Sequence, residues 1–138
     1  MIDLAAANHT GRELELMLAG KKPLAMFYAD LGWLPDERVI PEKRFARYVK
    51  TGEFVRSEKV ILGPYHPVWK RDIRTKFVFY ALRDEAWRIP AMILAIHVQE
   101  KVQMPNEAMD RITGALLGYT DEEVDAYCVW YQRNVEYR

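Results

Sequence analysis

Apolar and polar residues alternate along this chain in two registers, one with helical spacing and one with the spacing of strands. Leu14, Met17 and Leu18 share one helical face. Thr10 and Glu13 ahead of them have the spacing of a capping box, and Gly20 supplies a stop with Lys21 and Lys22 suited to the negative helix end. The apolar run at 24–28 fits a strand, and residues 30–40, with Gly32 and Pro35, fit a loop. Pro41 stands where a first helical residue would, and Gly52 stands just past the end. Between them Phe45, Tyr48 and Val49 form an apolar stripe, with Lys43, Arg44, Arg47 and Lys50 opposite.

Residues 54–62 predict a strand that Gly63-Pro64-Tyr65-His66-Pro67 breaks. Residues 73–82 predict a central strand, because Phe77, Val78, Phe79 and Tyr80 are apolar on both faces. Arg83-Asp84-Glu85 then reads as a turn into a short partner strand at 86–89. Pro90 opens a helix to about residue 102 that is apolar nearly all round at its start, hence buried. Pro105 opens another, with Ala108, Ile112, Ala115 and Leu116 inward and Gly118 as its stop. Thr120 and Glu123 form a second capping box, followed by a stripe of Val124, Tyr127, Cys128 and Tyr131. This order predicts one α+β domain over residues 1–138: a small, mainly antiparallel sheet of three or four strands, about five helices, and an antiparallel helical pair at the C-terminal end.

Composition adds that the fold stands without staples. A chain of 138 residues that is 50% hydrophobic has enough core for one domain. Cys128 is the single cysteine, which fits a reducing cytosol. The first residues lack the basic start and long apolar stretch of a signal peptide, and the apolar run at 89–96 is too short for a bilayer. A cytoplasmic protein with no membrane contact is expected.

Charge changes the picture more. The 20 basic and 20 acidic residues cancel, but they are segregated. Residues 1–40 carry 4 basic and 6 acidic side chains, residues 41–76 carry 10 and 4, residues 77–104 carry 3 and 3, and residues 105–138 carry 3 and 7. A basic middle and an acidic tail are hidden in a neutral total.

Candidate chemistry is sparse. His97 has Glu100 one turn on, a spacing that can orient a general base or simply mark the edge of the core. His66 lies in a proline-rigid loop with Tyr65, Trp69 and Arg71, the aromatic and basic mixture of a loop binding site or of a structural connection. His9 is expected only to adjoin the first helix cap. Three scattered histidines and one cysteine give no metal spacing, so no metal and no cofactor are expected. Asp121, Glu122, Glu123 and Asp125 lack the glycine of a calcium loop and suit a helix N-terminus. Cys128, on an apolar stripe after Asp125, reads as a core residue.

Two surfaces remain. Lys43, Arg47 and Lys50 project along one helix side, continued by Lys70, Arg71, Arg74 and Lys76, with Tyr65 and Trp69 able to stack on bases. Asp121, Glu122 and Asp125 on the last helix accompany Trp130, which falls off the apolar stripe, and Tyr137 further on. The leading expectation is a small cytosolic regulatory or inhibitory binding protein that works by protein–protein contact or self-association through these surfaces. The alternatives are single-stranded nucleic-acid binding by residues 41–76, and an enzyme whose pocket gathers around His66 or His97 with Glu100, Arg71 and Tyr80.

Overall fold

A computed structural model describes residues 2–32, 34–102 and 106–134, with only the backbone described at Pro64 and Tyr65. Its elements are α1 (Leu4–Ala7), α2 (Glu13–Leu18), β1 (Leu24–Asp30), α3 (Glu42–Lys50), β2 (Phe54–His66), β3 (Arg71–Leu82), α4 (Arg88–Val102), α5 (Glu107–Leu116) and α6 (Asp121–Asn134). A 3-10 turn, Arg83–Glu85, joins β3 to α4. The fold is α+β: a three-stranded antiparallel sheet in the order β1-β3-β2, with six helices among the described residues. Pro105 and Tyr137 lie outside the described residues.

Alternation along β3 builds a core on each side of the sheet. Val78 and Tyr80 point to one face, where Ala25, Phe54, Met17, Ile40 and Phe45 of α3 join them. Phe79 and Ala81 point to the other, against Leu24, Ile89 and Met92 of α4, and Met109 and Leu116 of α5. Val78, Phe79, Tyr80 and Ala81 are all fully buried, as a central strand covered on both faces requires.

Several local expectations are corrected. Residues 86–89 form no strand, because β3 already pairs on both edges and Pro90 fits inside the first turn of a helix that starts at Arg88. The strand over 54–62 continues to His66, since the Gly63-Pro64 step is absorbed as an irregularity in register between Leu62 and Tyr65. The Thr10–Glu13 box does not form: the Thr10 amide donates to Asn8 Oδ1, and α2 starts at Glu13 with no side-chain cap. Leu18 is exposed, leaving Met17 as the buried residue of that helix.

The rotation of α5 also differs. Met109 and Leu116 are buried, whereas Ala108, Ile112 and Ala115 face outward. Gly114 sets this rotation, since a Cβ there would lie 2.9 Å from Val124 Cγ2; the bare glycine lets α6 come close. The second capping box forms as expected, with Thr120 N donating to Glu123 Oε1 at 2.8 Å and Glu123 N to Thr120 Oγ1 at 3.1 Å. Val124 and Cys128 are buried in the α5/α6 pair, while Tyr127 turns partly outward. Among the described residues no helix is long and apolar enough to cross a membrane.

Candidate functional site: a groove between the first and last helices

Asp3 accepts hydrogen bonds from the amides of Ala5 and Ala6, and this cap holds the short α1. Four residues are too few to show a helical period, so α1 was not legible in the sequence. It lies on the α5/α6 pair, and the three helices enclose a groove of about 580 Å³. Leu4, Leu117 and Val124 give it an apolar lining, with Tyr127 and Trp130 along α6 and Asp110, Asn8, Thr113 and Glu123 as its polar groups. Trp130 is 46% exposed. Its ring centroid lies 6.1 Å from that of Tyr127, so the two form one aromatic wall.

Behind the groove lies a buried polar cluster that the sequence did not announce. Lys22 is 2% exposed, and its Nζ is 2.9 Å from His9 Nδ1 and 2.8 Å from the Leu117 carbonyl oxygen it donates to. The His9 ring stacks on Tyr119 at 3.8 Å and 7°, and the His9 amide donates to the Tyr119 hydroxyl. The Lys22 ammonium also lies 5.4 Å from the Tyr119 ring centroid, in cation–π range. Burial pushes Lys22 down to about 8, with Glu13 opposing. Burial and the Lys22 charge push His9 down to about 4. His9 therefore stays neutral at pH 7 and serves as acceptor, which resolves what would otherwise be two adjacent cations. A lysine after a helix-ending glycine reads as solvated, and only the fold of residues 117–119 over it removes it from water.

The sequence-derived candidates separate into three places. Asp121 and Glu122 are exposed on the first turn of α6, and Asp125 is bound to Arg111 across the α5/α6 pair. Trp130 joins them as a wall of the groove. Lys43, Arg47 and Lys50 are exposed on α3, with the Arg47 guanidinium 5.3 Å from the Tyr48 ring. His66, Trp69 and Arg71 meet at the β2–β3 turn. There His66 stacks on Trp69 at 4.1 Å, Trp69 N donates to His66 Nδ1, and Arg71 lies against the Trp69 ring and bonds Asp30. The Tyr65 side chain lies outside the description.

These placements change the charge map. Arg56 bonds both oxygens of Glu42 and also Glu58, which binds Lys76. Glu42 Oε2 accepts from the Tyr80 hydroxyl at 2.9 Å. The Arg56 hydrogen bonds hold the Glu42 carboxyl below its ordinary value, while burial and Glu42 push Tyr80 up to about 12. The basic middle is thus divided by its own carboxylates. The ion pairs of residues 41–76 stay within that segment or reach Asp30 and Glu37, and Arg111 serves the acidic tail. The two blocks do not neutralise each other among the described residues. His66, His97 and Tyr80 are not brought to one site either. His97 is half-buried on α4, away from the groove, and Tyr80 bonds Glu42 on the α3 face.

No group of three metal-ligating side chains gathers among the described residues. No family model matches this chain, and neither a curated protein nor a solved structure gives a match.

Proposed function

We propose that the protein is a small cytosolic binding protein, regulatory or inhibitory, that docks a segment of a partner protein into the groove between α1, α5 and α6. The observation that carries this reading is the groove itself: an apolar trough with a tyrosine–tryptophan wall and two carboxylates, flanked by the exposed Asp121 and Glu122. Aromatic walls supply large contact area at low entropic cost, and such residues dominate binding energy at interfaces. The chemistry fits an amphipathic segment whose aliphatic or aromatic anchor enters the trough while Lys or Arg meets the acidic rim. Opposite charge then steers the encounter and sets its orientation more than it adds affinity.

Nucleic acid is less well served. Trp69 already stacks on His66, Lys76 and Arg71 are paired, and Glu42 at the start of α3 and Glu58 on β2 both engage Arg56.

The test is affinity capture from a native lysate, followed by titration of the captured partner against groove variants. Tyr127→Ala with Trp130→Ala is expected to weaken binding by about a hundredfold, as loss of two central aromatic anchors would. Charge reversal at Asp121 and Glu122 is expected to slow association and flatten its salt dependence. Retention of the partner at full affinity by the groove variants, with loss on Lys43→Glu, Arg47→Glu and Lys50→Glu, overturns the proposal. Recovery of single-stranded RNA or DNA through α3 instead of a protein overturns it as well.

A further inference from the structure

The wall that α1 gives to the groove is anchored by one buried side chain. Among residues 2–16 only His9 is buried, and α1 buries none of its four residues. The Asp3 cap, the bond from Thr10 N to Asn8 Oδ1 and that from Arg12 to the Ala6 carbonyl are local and hold this stretch only to itself. His9 ties it to the rest of the chain. The His9 amide donates to the Tyr119 hydroxyl at 3.1 Å, the His9 ring stacks on Tyr119, and Nδ1 accepts from Lys22 Nζ at 2.9 Å. Tyr119 and Leu117 line the groove, and the Leu117 carbonyl is the other acceptor of Lys22. One cluster therefore holds both α1 and the groove floor beneath it.

This anchor depends on a neutral imidazole. Protonation removes the lone pair that Lys22 donates to and places a second cation beside a buried ammonium, so an attraction becomes a repulsion. The charged groups that face His9 are Lys22 ahead of β1, Arg12 at the start of α2 and Glu123 on α6; Tyr119 stacks on it, and Glu13 of α2 faces Lys22. Of these, Glu123 alone favours the imidazolium at His9, and its carboxylate is already committed to the Thr120 amide. Turning His9 out to water relieves the repulsion, and a terminal segment with no other buried residue can open without the core.

We propose that α1 is a strap released by acid: protonation of His9 detaches it from Tyr119 and Lys22, frees α1 from the α5/α6 pair and dismantles the groove. This regulation rests on the groove being the docking site, whose partner is then held at neutral pH and let go in acid.

Nuclear magnetic resonance of the full chain without a partner, from about pH 7.5 to about pH 3.5, tests this. The His9 ring is expected to titrate at about 4. With the same midpoint, signals of residues 4–8 should move to random-coil positions and the Trp130 indole signal should shift, while β3 amides stay protected from exchange. His9→Gln keeps an acceptor for Lys22 and cannot gain charge, so α1 is expected to stay docked through this range, although the Asp3 cap titrates as in wild type. Tyr119→Phe keeps the ring and loses the hydroxyl, and is expected to raise the release midpoint by about half a pH unit. An α1 that stays docked after the His9 ring has titrated, a His9→Gln chain that releases it at the wild-type pH, an unmoved midpoint in Tyr119→Phe, or β3 losing protection together with α1 each overturns the proposal. No partner enters these measurements, so their failure leaves the docking role of the groove standing, and a failed capture leaves the release of α1 standing.

Discussion

Replacing Gly118 by alanine is expected to lower the unfolding free energy by about 3 kcal/mol, from left-handed backbone strain and overpacking together. Gly118 sits at φ +91°, a conformation that side-chain-bearing residues adopt at a cost. A Cβ there would also lie 2.4 Å from Pro23 Cδ and 3.4 Å from Lys22 Cα, so the turn between α5 and α6 rests directly on the start of β1. Gly11 and Gly52 are internal controls. Their φ values are +83° and +82°, but nothing lies within 4 Å of a Cβ at either. Alanine at those two sites should cost only about 1 kcal/mol. Urea unfolding of the three variants separates strain from crowding. If Gly118→Ala matches Gly52→Ala within error, the contact with Pro23 is not the constraint described here. Pro23→Ala in the Gly118→Ala background should recover part of the difference.

The second large effect is a dependence of stability on pH that rises through two separate windows. His9 binds its proton more weakly in the folded protein, at about 4, than in the unfolded chain, at the ordinary 6.5. Between those values the unfolded state holds more protons, so stability falls as pH drops from 6.5 towards 4. Lys22 behaves in the same sense at the alkaline end, with about 8 when folded against 10.5. Stability should therefore climb from pH 8 to about pH 10 as the buried ammonium loses its proton. Each window is worth on the order of 3 kcal/mol at about 1.4 kcal/mol per tenfold change in proton affinity. Tyr80, held at about 12 against 10, reverses the trend above pH 10, because the unfolded tyrosine ionises first. Chemical denaturation at pH 4.5, 7, 8 and 9.5 reads these slopes. Lys22→Met should abolish the alkaline rise, and His9→Gln should flatten the stretch between 6.5 and 4.5. A wild type with equal stability at pH 8 and 9.5 would show that Lys22 is not buried as a cation.

Legibility in the sequence followed the range of the interactions. The central strand showed itself in Phe77-Val78-Phe79-Tyr80, and α3 in the Phe45, Tyr48 and Val49 stripe, because both patterns are local and long enough to repeat. The second capping box was legible for the same reason. What stayed hidden was set by tertiary contact. Gly114 fixes the rotation of α5 through Val124 ten residues later, so the inward face could not be phased from α5 alone. Lys22 becomes buried only when residues 117–119 close over it. The groove needs α1, which has no period to read, against helices more than a hundred residues away in sequence. Trp130 was the one groove residue that announced itself, by falling off the apolar stripe of its helix. The hairpin beyond Leu62 was missed because Gly-Pro normally ends a strand, and here the irregularity in pairing accommodates it.

The sheet order carries a consequence for how the chain reaches this state. β3 alone bonds both neighbours, and it bonds them over very different distances along the chain. The β2–β3 hairpin closes through the four residues 67–70, whereas β1 meets β3 across separations of 45 to 57 residues. Closing the longer loop costs more entropy before any contact rewards it. The hairpin is therefore expected to form early, and the docking of β1 to complete the sheet late. A nascent chain must accordingly carry its first seventy residues out of the ribosome with β1 unpaired, and the helices on both faces gain their shared floor only when β3 emerges.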